Sequence, residues 1–233
     1  MPCTLPASLA DAAVCRSSFH AVLGGEAGEA VFADFSAALQ KAQAEGRILT
    51  ASLFRYENHL FFYAEGLNRP FTPQGLCPAL DAALLPWPPA LGETSPRPWA
   101  AMQPYFYHDI PTTAADWQQG RCPQRRRGRI ALLPPDKWCS YMEHHLRIVT
   151  EGLVEGDRWH LICVQEGVLF SYLEEPRTNV NIRHQPGAHS PELDAWIAAD
   201  PESHFARFTP EQKAHPDGGH NFVFLPRIAG TED

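Results

Sequence analysis

Two hydrophobic periods alternate along this chain, and the switches between them mark its elements. Residues 1–18, rich in Pro, Ala and Ser, predict an irregular lead-in, and Phe19–Leu23 a first strand. Ala30–Glu45 (AVFADFSAALQKAQAE) has the propensity of a helix that ends before Gly46. Arg47–Tyr56 and Leu60–Glu65 predict a hairpin across the turn Glu57-Asn58-His59. Ala79–Leu85 predicts a short helix, residues 86–99 are too proline-rich for regular structure, and Tyr105–Asp109 predicts a strand. The same succession follows again. Arg129–Leu133 predicts a strand and Asp136 a helix N-cap. Trp138–Glu175 then predicts a helix, a strand, a tight turn and a second strand. A polar loop (176–190), a short helix at Pro191–Ala199, a helical piece within Asp200–His220 and a closing strand at Asn221–Leu225 complete the pattern.

The repetition has a register. Tyr63 and Tyr172 are offset by 109 (172 − 63), and the same offset pairs Glu57, Leu60, Phe61 and Glu65 with Glu166, Leu169, Phe170 and Glu174. Leu23 pairs with Leu132, and the helices align without a gap, placing Phe32 opposite Tyr141 and Ser36 opposite His145. An internal duplication follows, with two α+β lobes of ferredoxin-like β-α-β-β-α-β order. The expected lobes are 19–110 and 129–228, joined by a basic connector at 111–128. One such lobe covers a single sheet face with helices, so the two are expected to pack sheet to sheet as an intramolecular α+β barrel.

The second helix carries the candidate chemistry. At 100° per residue, with Trp138 as zero, His145, Val149 and Met142 fall within about 40° of it. Tyr141, Leu146, Ile148, Gly152 and Leu153 widen this apolar arc, whereas His144 lies on the polar side. His145 is thus either a core histidine with one hydrogen bond or a general acid/base whose pKa burial tunes. Tyr141, one turn earlier, is placed to share a substrate oxygen. Trp138, Trp159 and Trp196 are candidate platforms for an apolar ligand face, and Glu174 a candidate hydroxyl acceptor.

Length, charge and cysteine usage narrow the class. The chain has 233 residues, 44% hydrophobic, enough for two lobes of roughly 100 residues each. A net charge of −8 opposes general nucleic-acid binding. The one basic cluster, Arg121–Arg129 (RCPQRRRGR), reads as a solvated connector, with a phosphate or RNA patch as the alternative. No apolar run reaches the roughly 20 residues of a membrane span, and no secretion signal is visible, so a cytoplasmic protein without membrane partners is expected. The six cysteines form no CxxC pair and are expected as free thiols. No HxxxH or HxH motif accompanies a carboxylate, so no metal site is expected.

The second lobe resembles the L-rhamnose mutarotases, small proteins of the dimeric α+β barrel class. The resemblance rests on Tyr141-Met-Glu-His-His145 on the first helix and on the hairpin ending in Glu174 and Glu175. A helix with Asp and aromatics and a final aromatic strand follow. It covers about 100 residues, and the chain as a whole resembles such a dimer fused in tandem. The resemblance implies that His145 and Tyr141 interconvert the anomers of a small aldose by acid/base catalysis, with a monosaccharide as ligand and no cofactor. The protein would be a monomer or weak homodimer. The same barrel class also hosts cofactor-free and haem-binding oxidoreductases, for which His145 could be an axial ligand. A non-enzymatic binding or regulatory module is the remaining alternative.

Overall fold

The computed structural model describes residues 6–152, 154–176, 183–184, 187–209 and 221–231. In chain order the elements are β1 (Val14–Val22), α1 (Glu29–Ala44), β2 (Ile48–Tyr56), β3 (His59–Leu67), α2 (Pro78–Ala83), β4 (Ala100–Ala101), β5 (Gln103–Tyr107) and α3 (Ala114–Gln118). There follow β6 (Arg125–Leu132), α4 (Pro135–Glu151), β7 (Val154–Glu155), β8 (Leu161–Gln165), β9 (Val168–Glu175), β10 (Arg183–His184), α5 (Pro191–Ala198), β11 (Val223–Leu225) and β12 (Arg227–Gly230). Part of the loop expected at 176–190, and residues 210–220, lie outside the described residues.

The fold is α+β, with two antiparallel five-stranded sheets ordered β4-β1-β3-β2-β12 and β5-β8-β9-β6-β11. Ferredoxin-like order (strands 4-1-3-2) is visible in both, plus one extra strand beside β2 or β8. That extra strand departs from the sequence expectation. Tyr105–Asp109 was expected to close the first lobe, but β5 pairs with β8, and β12 pairs with β2. The two compact units are therefore discontinuous in sequence. The first is Met1–Met102, Pro111–Pro123 and Pro226–Asp233; the second is Gln103–Ile110 and Gln124–Leu225. Only Met102 separates β4 from β5, and only Pro226 separates β11 from β12.

In the first unit, α1 presents Phe32, Phe35, Leu39 and Ala42 to a core that includes Leu53, Leu60, Phe62 and Trp99. The other face of this sheet is also out of water, since Phe54, Phe61, Tyr63 and Glu65 are buried. Both faces of β2 and β3 being buried explains why they read as continuous apolar runs. The expected irregular lead-in is shorter than residues 1–18, because β1 starts at Val14 and pairs with β3 along its whole length.

The basic cluster is not a solvated connector. The buried Arg121 guanidinium grips Glu65 with two hydrogen bonds of 2.7 and 2.9 Å, joined by Trp117 Nε1 at 3.0 Å and the Tyr63 hydroxyl at 2.7 Å. Burial alone would raise the Glu65 pKa, but the Arg121 charge and the Arg121 and Trp117 hydrogen bonds hold it below the usual carboxylate value. Residues 125–128 already belong to β6, where Arg127 bonds Glu175 at 2.8 Å and lies 3.8 Å over the Phe224 ring. Neutralised in this way, an arginine run can enter a strand.

The repeat survives in structure, with two loop-length changes that the single offset hides. Glu57 and Glu166 occupy equivalent turns with φ of 52° and 51°. Leu23 N–H bonds the Asn58 carbonyl, and Leu133 N–H bonds that of Gly167, so the first strands are offset by 110 (133 − 23). Six residues (23–28) link β1 to α1, but only Leu133 and Pro134 link β6 to α4. The helices are consequently offset by 106 (135 − 29). Tyr141 and His145 therefore stand where Phe35 and Leu39 stand in the first unit, rather than opposite Phe32 and Ser36.

Candidate functional site

Helix α4 begins with Pro135 at its first position, where the missing N–H costs nothing. Pro134 is the N-cap, so Asp136, expected as the cap, instead sits in the first turn and complements the helix dipole. Gly152 ends the helix in the left-handed region, at φ 67°. Between these ends Tyr141, His145 and Ile148 are buried. The inward face is thus rotated by roughly 50° from an arc centred on Trp138. This leaves Trp138 41% exposed and Leu146 60% exposed.

His145 has only 4% of its surface accessible. Its Nδ1 lies 2.9 Å from the Tyr141 carbonyl oxygen. A carbonyl only accepts, so Nδ1 carries the proton and Nε2 keeps a lone pair. Four aromatic rings cage the imidazole, with centroids at 4.2 Å (Tyr141), 4.8 Å (Phe106), 4.8 Å (Trp196) and 5.7 Å (Tyr105). Burial pushes the His145 pKa down to about 4; the bond to Tyr141 opposes this, and His144, His204 and His108 add to it. Tyr141 is shifted the other way. Burial raises its hydroxyl to about 12, against the lowering effects of the Tyr105 hydroxyl and the Arg129 charge. At neutral pH the site therefore holds an uncharged base beside a protonated phenol.

His145 and Tyr141 open onto a cavity of about 310 Å³ in the second unit. Phe106, Ile162, Trp196, Phe205 and Phe222 supply most of its apolar wall, and Arg129, His108, Asp157, His160 and Glu202 its polar positions beside the pair. Helix α5 brings Trp196 to the wall. Its N-cap Ser190 hydroxyl accepts from Leu193 N–H at 3.1 Å and donates to Glu151 of α4, which ties the two helices together. Behind Trp196, buried His204 donates Nδ1–H to the Asp200 carbonyl and accepts from the Ser140 hydroxyl, each at 3.3 Å.

Of the six residues singled out in the sequence, His145, Tyr141 and Trp196 meet at this cavity. Trp138 lies instead in a shallow hollow with Leu133, Pro135 and Glu166. Trp159 is buried but does not line the cavity. Glu174 does not face it either; it accepts from the Tyr172 hydroxyl at 2.6 Å and lies 3.6 Å from Arg126. Phe106, His108 and His160 were missed. Phe106 arrives on β5 and His108 directly after it, in a stretch that the sequence assigns to the other lobe, and His160 carries no periodic signal. Among the described residues, no three His, Cys, Asp or Glu side chains are grouped to hold a metal ion. Haem does not fit: the cavity is at the small end of the roughly 300–1,000 Å³ range of ligand pockets, and four rings crowd His145, the axial ligand that the sequence put forward.

The strand order of each unit places the protein in the α+β class with ferredoxin-like topology. No protein-family model matches the chain, and no curated protein matches it in sequence. Three solved structures align with it at low identity. A protein named as a monooxygenase from Lactobacillus acidophilus NCFM is 6% identical, with 94% of this chain and 96% of that one covered and a TM-score of 0.40. One of the same name from Fusobacterium nucleatum is 9% identical, with 95% of both chains covered and a TM-score of 0.40. An anthrone oxidase-like protein is 8% identical, with 94% and 92% covered and a TM-score of 0.38. None of the three is named as a mutarotase. Likeness this distant carries no information on activity, so function has to be argued from the cavity.

Proposed function

We propose that the second unit binds a compact aromatic compound with an acidic C–H or O–H, and that His145 removes that proton as the first step of a cofactor-independent oxidation. The observation that carries this reading is the fixed tautomer of His145, whose Nε2 lone pair belongs to a buried neutral imidazole on an aromatic-lined wall. A base with a pKa of about 4 stays unprotonated throughout the neutral range but takes up a proton weakly, so the transfer depends on stabilising the anion that it leaves. Tyr141, protonated up to about pH 12, can donate to the oxygen on which the resulting charge collects. For a methylene flanked by aromatic rings and a conjugated carbonyl, the anion then reacts with dioxygen. The net change is CH₂ + O₂ → C=O + H₂O; the carbon is oxidised, dioxygen is reduced, and the proton on His145 returns to the departing water.

Sugar mutarotation is the second reading, favoured by Tyr141 and His145 lying side by side on one wall. It requires a proton donor for the ring oxygen. A neutral His145 and a tyrosine with its pKa pushed up to about 12 supply that poorly.

Oxygen uptake with anthrone as the probe, compared with L-rhamnose anomer exchange by saturation-transfer NMR, separates the two. Anthrone oxidation above the buffer rate, reduced about 10²–10⁴-fold in His145→Ala, is expected. Anomer exchange without oxygen uptake would reverse the ranking.

A further inference from the structure

We propose that the ligand has two parts, a ring held in the His145 cavity and an apolar arm that passes Phe106 and His108 into an adjoining cleft. This rests on the reading of the His145 cavity as a site for an aromatic compound. The cleft encloses about 470 Å³ and, like the cavity, belongs wholly to the second unit. Phe106 and His108 line both spaces, so the two are neighbours across one pair of side chains, which the arm has to pass. Phe106 is fully buried, and its ring stands edge-on to those of both His145 and His108.

The cleft is lined from two elements. Helix α4 gives it Leu146 and Val149 over a floor of buried Ile148, and the chain after β5 gives Ile110. Leu146 is 60% exposed and Ile110 62%, both large aliphatic side chains turned toward water. One exposed aliphatic side chain needs no explanation, but two facing one cleft beside an aromatic cavity do. The one acidic group there, Asp109, is engaged by Arg158 at 2.9 Å. Tyr107, His108 and Thr150 line the cleft as well, so Ile110, Leu146 and Val149 form an aliphatic stretch within it, suited to a hydrocarbon chain rather than to a second charged group.

Calorimetric binding of a 4-alkylphenol series, from 4-methylphenol to 4-hexylphenol, tests this. The phenol hydroxyl addresses His145 Nε2 and the alkyl chain probes the cleft. Affinity in the wild type should rise about two- to fourfold per methylene, up to the full transfer value of about 0.8 kcal/mol per CH₂. In Leu146→Glu, an exposed position where folding is not at risk, the rise should vanish while 4-methylphenol binds within about twofold of wild type. A flat or undetectable series in the wild type overturns the proposal. So does a rise that persists in Leu146→Glu, or an equal loss for 4-methylphenol. If the series behaves as expected but anthrone draws no oxygen, the oxidation reading fails and the two-part site stands.

Discussion

A histidine sealed among four rings, with one nitrogen committed to a carbonyl, can act only through the other. The burial of His145 also has a thermodynamic signature. Unfolded, it takes up its proton near pH 6.5; folded, near 4. Between those values the unfolded chain binds more protons, so stability rises with pH across the window. The contribution is complete above about pH 6.5 and lost as pH falls to about 4, roughly 3 kcal/mol in all. Urea unfolding at pH 7 and 4.5 should show most of that drop in the wild type and a flatter dependence in His145→Phe. Tyr141→Phe keeps the packing and removes only the hydroxyl, so anthrone oxidation should fall roughly 10- to 100-fold with little change in unfolding midpoint. The Tyr141–His145 pair was legible in sequence because both sit on one stripe of one helix. Trp138 misled because the apolar arc is wider than the buried stripe, and its centre cannot be found without the surface it packs against.

The hairpin turns were readable at the scale of single elements, down to their shared offset. Glu166 nevertheless adopts φ 51° beside Gly167 at 79°, the pair of positive angles that a two-residue I′ turn requires. A glutamate has no means of relieving the left-handed conformation, whereas asparagine visits it readily. Glu166→Asn should stabilise the protein by about 0.5–1 kcal/mol, measured by thermal or urea unfolding. The helix offset was not readable. Unequal loops before and after α4 cancel almost completely, from 110 to 106 and back to 109, and a single-offset alignment passes over them. With Phe35 and Leu39 at the equivalent positions, the first unit has no counterpart of the Tyr141–His145 pair.

Across the whole molecule, the two-sheet α+β organisation followed from the order of elements, but the pairing of β5 and β12 did not. Neither strand differs in pattern from one that stays with its own lobe, and only β-pairing partners distinguish them. That exchange is what delivers Phe106 and His108 to the cavity, so the site was half visible in the sequence. The first unit depends instead on its buried Glu65–Arg121 pair. Glu65→Ala, which strands a buried guanidinium, should cost about 3–5 kcal/mol in urea unfolding, and Glu65→Leu combined with Arg121→Met much less. The depressed Glu65 pKa adds to the acid sensitivity set by His145, since its contribution is present above the ordinary carboxylate range and lost as the pH falls below it.

The claim that the cavity holds a neutral base is tested most directly by ¹⁵N NMR of the His145 imidazole, titrated with and without 4-methylphenol. Nδ1 should carry the proton from pH 8 down to about 4, and Nε2 should shift when the phenol donates to it. Titration near pH 6.5, or a proton resident on Nε2, would contradict the account.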